Sequence, residues 1–575
     1  MCGILLFQSK KINNLQKNLF HESLKKLEKR GPDKTSFYSL NNTLIGFTRL
    51  SINNIKTGSQ PFESLCGKYI IVFNGEIVNY KILSDQLISA GINIRHGHEC
   101  EVIINLYILY GKKCLDYLRG FFAFVIIEKK NANIFAAVDR FSIKPLYYLE
   151  NIYKDLFIIT SDYSCVLNSS IVDKNVNYNK IVEYFIFARD FDNSAFYKNI
   201  KRVNAGSYLI KEKKDTRHPN IIIRNYWRPF QEEYAENLIE SYKNLLSEFE
   251  IKLKEVINLW KISDVPISLC LSTGVDSIML NYLMKISNTD FTSFNIPEDK
   301  KFYQKKINKF ISYSLNLNDV ISSLNSFTKN NKSPSALAHS SSAALIAFYE
   351  FIQKNGFKVA INGEGSDELA GGYIRHFKQL DLMNNHKFSF EDSLLEVNRS
   401  LIDTFNLYKN QKLENIENGL KKKILSIKLI SRKNENKILE FDQLTWIPYL
   451  IKRHDRIGMN CGLEIRPPFL DHKLVEFMNI LPIKYKFNSL NNKILLKKFL
   501  QHKRINFNKL KKGTPTLQSL ILKNKKEMTS FKEGLFYGKL YNFFNVNKIL
   551  IDLSKNNIND LFVWRLFILN KIFNS

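Results

Sequence analysis

Cys2 stands second in the chain and is followed by Gly3. Removal of an initiator Met ahead of a small residue exposes Cys2 as the terminal residue. A terminal thiol carries its own base, because an α-amine titrates near ~7.7–8, far below a lysine. Alone this signal is weak, since most chains that begin Met-Cys use the thiol for nothing. Two further stretches hold chemistry. Ser272-Thr273-Gly274-Val275-Asp276-Ser277 follows the strand-like run Ile267-Ser268-Leu269-Cys270-Leu271 and precedes an apolar helical stretch. A tight loop of small residues there aims backbone N–H groups and a positive helix end at an anion. It does not match the GxxxxGK[ST] phosphate loop. Asn362-Gly363-Glu364-Gly365-Ser366-Asp367-Glu368 also follows a short apolar strand, and Gly371-Gly372-Tyr373 comes next. In a parallel sheet, loops leaving the strand ends share one edge, where ligands bind. Asp276 and Asp367 would meet there, and two carboxylates with phosphate oxygens suit Mg2+. Either Asp alone reads as a helix N-cap.

These residues need two scaffolds. A chain of 575 residues is long enough for two or more domains. Tyr69 to Phe73 and Gly120 to Ile127 are short apolar runs rich in β-branched and aromatic residues, and read as buried strands. The stretch from about Lys211 to Tyr234 is polar and reads as a hairpin or linker. From Glu236 onward, helical periodicity alternates with strand-like Val265 to Leu271 and Phe357 to Gly363, the pattern of a parallel α/β sheet. After about Gln379 the chain reads as mostly helical. The expected domains are residues 1–210 and 235–575, the first α+β and the second α/β.

The formal net charge is +29. The lysines are mixed with Asn, Ile and Glu, as from Lys11 to Lys29 and from Lys421 to Lys437, so they read as solvated faces. A nucleic-acid partner is not expected, although the charge can attract anions such as ATP. Seven cysteines, with no CxxC pair, fit free thiols in a reducing, cytoplasmic compartment. Neither a signal peptide nor a membrane span is expected.

Several motifs occur in order: Cys2-Gly3-Ile4, Arg30-Gly31-Pro32-Asp33, Arg49-Leu50-Ser51-Ile52, Gln60-Pro61, Phe73-Asn74-Gly75-Glu76, Asp139-Arg140 and Lys144-Pro145-Leu146-Tyr147-Tyr148. Together they resemble the class II glutamine amidotransferase domain, an N-terminal-nucleophile hydrolase-type fold of layered β-sheets. The resemblance implies that Cys2 attacks the glutamine amide and that Asn74 and Gly75 form the oxyanion hole. It also implies that Arg49 holds the glutamine carboxylate, with Leu50, Ser51, Ile52, Asn53 and Glu76 completing the pocket. Glu99 stands where the family usually has Asp to hold the substrate α-amine. Thr48 stands where His is common, and Ser142 where Gly is usual.

The loop at residues 272–277 resembles the pyrophosphate loop of ATP pyrophosphatases, with Thr273 in place of a Gly. Leu450 to Phe477 holds Asp455-Arg456, Met459, Glu464, Arg466, Pro468 and Phe469-Leu470-Asp471, and Asn492-Lys493 follows. These resemble glutamine-hydrolysing asparagine synthetases, over about residues 1–515. The resemblance implies that aspartate is adenylated by ATP and that ammonia from Cys2 attacks the β-aspartyl adenylate. It implies ATP contacts at Cys270, Ser272, Thr273, Gly274, Val275, Asp276, Ser277, Ile296, Asn362, Gly363 and Lys493. It also implies Mg2+ at Asp276 and Asp367, a role for Glu364 in the ammonia step, and an ammonia channel; a homodimer is left open. Two alternatives are weighed. A β-lactam synthetase-like enzyme generally lacks a working Cys2 and carries Tyr where Glu364 stands. A nucleic-acid-binding or regulatory pseudoenzyme would not need Cys2, Arg49, Asn74, Asp276, Glu364, Asp367 and Lys493.

Overall fold

Alternation sorts the first strand between two cores. In β1 (Gly3–Gln8) every position is buried. Ile4 and Leu6 join one apolar cluster, and Leu5 and Phe7 another. Side chains alternate across a strand, so β1 separates two packed layers. Leu5 and Phe7 pack with Leu19, Phe20 and Leu24 of α1 (Asn14–Leu27). Ile4 and Leu6 pack with Val72, Ala123 and Val125 of the second sheet. That sheet turns Ile71 and Phe73 toward α2 (Tyr80–Ser89) and α3 (Glu99–Tyr110). The layer order is therefore helix, sheet, sheet, helix. The computed structural model describes residues 2–40, 42–151, 155–167, 172–212, 220–230, 242–296, 309–410, 416–507, 517–537, 539–555 and 557–574.

The first sheet joins β1 to β2 (Lys34–Leu40), β3 (Thr43–Arg49), β8 (Tyr147–Asn151), β9 (Leu156–Thr160) and β10 (Ile200–Arg202). The second joins β4 (Phe62–Glu63), β5 (Tyr69–Ile77), β6 (Gly120–Glu128), β7 (Ile134–Val138), β11 (Ser207–Glu212) and β12 (Asn220–Asn225). All the strand pairings in both sheets are antiparallel. A boundary at residue 210 would cut β11, and the second sheet runs on to Asn225. The polar stretch after Lys211 is partly a hairpin arm at a sheet edge, where one face meets water, and its composition hides the strand. We place the end of the first unit beyond Asn225.

The third sheet is parallel, in the order β15 (Phe310–Ser312), β14 (Phe291–Asn295), β13 (Ile267–Cys270), β16 (Val359–Ile361), β17 (Glu464–Arg466). The chain leaves β13 toward β14 on one side and returns as β16 on the other. That reversal opens a crevice at the strand ends. The remainder is largely helical, including α4 (Val275–Ile286), α5 (Leu317–Asn330), α6 (Ser342–Lys354), α7 (Asn434–Met459) and α8 (Asp560–Asn574). In α8, Trp564 Nε1 donates to the Leu337 carbonyl at 2.9 Å and Arg565 Nη1 to the Phe185 carbonyl at 2.5 Å. The last helix thus ties the two halves together.

Charged pairs also cross between the halves. Arg30 meets Asp455 at 3.0 Å, Arg119 meets Asp471 at 2.9 Å, and Lys452 meets Asp190 at 2.7 Å. These groups are largely buried, so removing one partner strands a charge in the interior.

Candidate active sites

β1 delivers Cys2, and the end of β5 delivers Asn74 and Gly75. The Cys2 backbone nitrogen donates to Asn74 Oδ1 at 2.9 Å. Asn74 is fully buried, and its Nδ2 has no hydrogen-bond partner. Gly75 has φ +135°, and an added Cβ would run into the Phe121 carbonyl. Backbone this close to β6 admits only glycine. Burial pushes the Cys2 thiol pKa up, against the pull of the Leu50 N–H and Arg49. A neutral thiol needs a base before it can attack.

Cys2 opens on a cavity of about 460 Å³ that is also lined by Arg49, Leu50, Ile52, Asn53 and Glu99. The Arg49 guanidinium is held by the carbonyls of Asn53, Asn54 and Ile55 at 3.3, 2.7 and 3.1 Å. Among the described residues it has no carboxylate partner. Ser51 stands beside the cavity, its N–H bound to Asp33 Oδ2 at 2.6 Å.

Two acids share the far wall. Glu76 accepts from Asn53 Nδ2 at 2.6 Å, and Glu99 accepts from Asn54 Nδ2 at 3.3 Å. The Glu99 Oε1 atom is buried without a partner. Burial, followed by the charge of Glu99, pushes the Glu76 carboxyl well above the ordinary carboxylate range. Burial raises Glu99 too, against its hydrogen bonds. Two adjacent buried carboxyls resist ionising together, and a cation placed between them favours their charged forms.

The sequence reading missed Asn54, Gly58, His98 and Glu464 on this wall. Glu464 comes from β17 of the other half. Beside it, Arg466 Nε meets Glu464 at 2.6 Å and Nη2 reaches Glu76 at 3.7 Å. No local spacing signals a residue borrowed from so far along the chain.

Thr48 packs its hydroxyl on the Leu27 carbonyl at 3.1 Å. Ser142 takes φ +54°, the backbone state that favours glycine. Asp139 accepts N–H bonds from Phe122, Phe141, Ile143 and Lys144 at 2.9–3.1 Å. It holds the loop in shape away from the Cys2 cavity.

The second centre lies at the carboxyl ends of β13, β14 and β16. Cys270 ends β13, Ile296 follows β14, and Asn362 and Gly363 follow β16. Residues 272–277 turn from β13 into α4, whose first residues are Val275 and Asp276 and whose cap is Gly274. Ser277 Oγ knits the loop, accepting from Ser272 N at 3.0 Å and donating to the Ser272 carbonyl at 2.8 Å. Gly274 N donates to Ser272 Oγ at 3.3 Å, and Thr273 is buried in the turn.

Lys493 reaches between the loops. Its Nζ meets Asp276 Oδ2 at 2.6 Å, Asp367 Oδ1 at 2.6 Å and Ser366 Oγ at 3.2 Å. Burial works against the ammonium, but the two carboxylates overcome it and hold its pKa above the usual lysine value. A Cβ at Gly372 would fall on Asp367 and Lys493. Asp276 Oδ1 is buried without a partner. Two carboxylates converging on one point, with an oxygen to spare, fit a divalent cation that takes its other ligands from phosphate and water. Among the described residues no three His, Cys, Asp or Glu side chains cluster as metal ligands.

Glu364 Oε1 lies 2.9 Å from His454 Nε2, and His454 Nδ1 lies 2.6 Å from the Tyr349 hydroxyl. Burial opposes the Glu364 charge, yet His454 and Arg453 bring its pKa below the ordinary glutamate value. Cys270 is a half-buried thiol whose pKa is pushed up to about 12 by desolvation and then by Glu364. Glu368, next to Asp367, is fully buried. It accepts from the Tyr373 hydroxyl at 2.5 Å, and burial and Asp367 push its pKa to about 8.

One helix touches both centres. Consecutive residues of α7 point about 100° apart. His454 faces Glu364, Asp455 grips Arg30 with two contacts at 3.0 and 3.2 Å, and Arg456 faces Asp162 at 3.2 Å. Arg30 Nε in turn reaches the Cys2 carbonyl at 3.4 Å.

Known families divide the chain in the same way. Residues 1–227 match the glutamine amidotransferase domain family, and residues 248–525 match the asparagine synthase family. The chain belongs to the glutamine-hydrolysing asparagine synthetases. It is 26% identical over 534 residues to asparagine synthetase [glutamine-hydrolyzing] 3 of Bacillus subtilis, covering 87% of this chain and 84% of that one. Asparagine synthetase [glutamine-hydrolyzing] 1 of the same organism is 26% identical, with 84% and 81% covered. Amidase chry2 of Gibberella zeae is 25% identical, with 85% and 84% covered. No helix among the described residues is long and apolar enough to cross a membrane.

Proposed function

We propose that this synthetase forms asparagine from aspartate, ATP and glutamine, giving AMP, pyrophosphate and glutamate. The reading is supported by one chain holding two furnished centres in contact through α7. One is Cys2 with the partnerless Asn74 amide, and the other is Lys493 between Asp276 and Asp367.

At the first centre, loss of Met1 turns the Cys2 nitrogen into an α-amine held by Asn74 Oδ1. That amine accepts the thiol proton as sulfur attacks the glutamine amide carbon. Asn74 Nδ2 and the Gly75 N–H receive the developing oxyanion. Ammonia leaves as the thioester forms, and water later releases glutamate. Arg49 pairs with the substrate carboxylate, and Glu99 with Glu76 receives its ammonium, whose charge favours the ionised form of both acids. The extra methylene of Glu99 is accommodated through Asn54.

At the second centre, the loop N–H groups and the α4 N-terminus cradle ATP phosphates. Cys270, Ile296 and Gly363 sit at strand ends where the adenosine half would lie. The aspartate β-carboxylate attacks the α-phosphorus, pyrophosphate departs beside Lys493, and a β-aspartyl adenylate remains. Ammonia then attacks the acyl carbon and AMP leaves. Glu364, kept ionised by His454, takes up the proton the attacking nitrogen sheds. Mg2+ would be held by Asp276 and Asp367, and when bound it neutralises phosphate charge. The seven thiols are unpaired, which suits a cytoplasmic setting.

The test is Cys2→Ala. Glutamine-dependent synthesis is expected to vanish while ammonia-dependent synthesis persists. Loss of both together would break the two-centre account.

A further inference from the structure

The glutamine pocket leans on a turn from the other half. Residues 52–55 carry no reacting group, yet they hold three charges of the pocket. The carbonyls of Asn53, Asn54 and Ile55 grip the Arg49 guanidinium. Asn53 Nδ2 serves Glu76, and Asn54 Nδ2 serves Glu99. The backbone of this segment needs support. Asn54 has φ +49°, a left-handed state that asparagine tolerates but that costs free energy in any residue with a side chain. Such residues persist where their surroundings fix them.

The support comes from Asp264, in the synthetase half just ahead of β13. Its N–H donates to the Ile52 carbonyl and to Asn53 Oδ1, both at 3.1 Å. Its Oδ2 accepts from the Asn54 N–H at 2.9 Å. One residue thus meets three consecutive residues of the segment, including the left-handed one.

The turn that carries Asp264 is anchored in the interior. Arg466 of β17 is 1% exposed in its side chain, and its Nη1 donates to the Trp260 and Ile262 carbonyls at 2.9 and 2.6 Å. Trp260 is buried and gives its Nε1–H to Asp471 Oδ2 at 2.8 Å. Asp264 itself stands at the surface and is not among the described residues that line the Cys2 cavity. It can act on a bound substrate only through the 52–55 segment.

We propose that Asp264 is a positioning residue for glutamine, supplied by the synthetase half. It fixes the 52–55 segment so that Arg49, Glu76 and Glu99 stand at the spacing of the substrate's carboxylate and ammonium. This rests on the glutamine site proposed at Cys2. A loosened segment lets those charges drift, and binding weakens while the reacting groups stay in place.

The test is steady-state kinetics of the full chain with Asp264→Ala and Asp264→Asn, following glutamate release and, separately, ammonia-dependent synthesis. Asp264→Ala removes the acceptor for the Asn54 N–H. The KM for glutamine should rise about three- to tenfold, the scale of one hydrogen bond. The kcat for glutamate release and the ammonia-dependent synthesis should be unchanged. Asp264→Asn keeps a side-chain oxygen that can accept from the Asn54 N–H, and should return the KM close to wild type. A wild-type glutamine KM in Asp264→Ala would overturn the assignment, as would an Asp264→Asn variant as weak as Asp264→Ala. A lower kcat in both reactions with the KM in place would show a structural role only and overturn it as well. Glutamate release that survives Cys2→Ala would instead overturn the glutamine site, and the role of Asp264 with it.

Discussion

Asn74 is held at one end and idle at the other: its Oδ1 takes the Cys2 nitrogen at 2.9 Å, while its buried Nδ2 has no partner. A fully buried amide with an unused donor beside a nucleophile is positioned for charge that appears only during reaction. Asn74→Asp keeps the acceptor and removes the donor. It should lower glutamine-dependent kcat by about 10²–10³-fold, with ammonia-dependent synthesis unchanged, as read by paired assays with the two nitrogen donors.

The acid pair at the far end of the same cavity makes a prediction about affinity. Glu99→Gln removes the charge that an incoming ammonium needs. The KM for glutamine should rise at least tenfold, the scale of a lost charge-assisted contact. The KM for ammonia should stay where it is. Glu99→Asp, which restores the charge, should recover most of the loss. A glutamine KM equal in all three proteins would remove Glu99 from substrate binding.

At the synthetase centre, Asp367→Asn takes away one of the two carboxylates that meet Lys493 at 2.6 Å. Aspartate-dependent pyrophosphate release should fall by at least 10²-fold, while glutamine hydrolysis continues. Pyrophosphate release that survives in this variant contradicts the assignment of Asp367 to the nucleotide and its cation.

Glu368 ties stability to pH. Its pKa is about 8 in the fold, against 4.5 ordinarily. Below the ordinary value both folded and unfolded chains are protonated there, so the group is neutral to stability. As pH rises through the window between those values, the unfolded chain ionises first and the fold loses stability. Glu368→Gln removes that penalty. Its melting temperature relative to wild type should climb between pH 5 and pH 8, as read by calorimetry. A pH-independent difference would show that Glu368 is ionised in the fold.

Much of this arrangement was readable in the sequence, and the reasons for the rest are specific. The loops at 272–277 and 362–368 each follow an apolar strand, so parallel-sheet geometry alone brings Asp276 toward Asp367. β1 and β6 are nearly all apolar because each lies between two packed layers. By contrast, β12 is an edge strand within a polar stretch, which read as a hairpin or linker. α7 is buried almost all round from Ile438 to Met459, so no apolar stripe reveals that His454, Asp455 and Arg456 serve three different neighbours. Glu464 and Arg466 reach the Cys2 side only because β17 is an edge strand of the parallel sheet.

The central claim is that Cys2 supplies nitrogen to an adenylated aspartate within one chain. Glutamine labelled with ¹⁵N at its side-chain amide, given with ATP, Mg2+, aspartate and an excess of unlabelled ammonium at low pH to suppress free ammonia, tests it by mass spectrometry of the product. The account predicts asparagine carrying ¹⁵N in its side chain, with one AMP and one pyrophosphate per asparagine. Hydrolysis of glutamine with no labelled asparagine would contradict it.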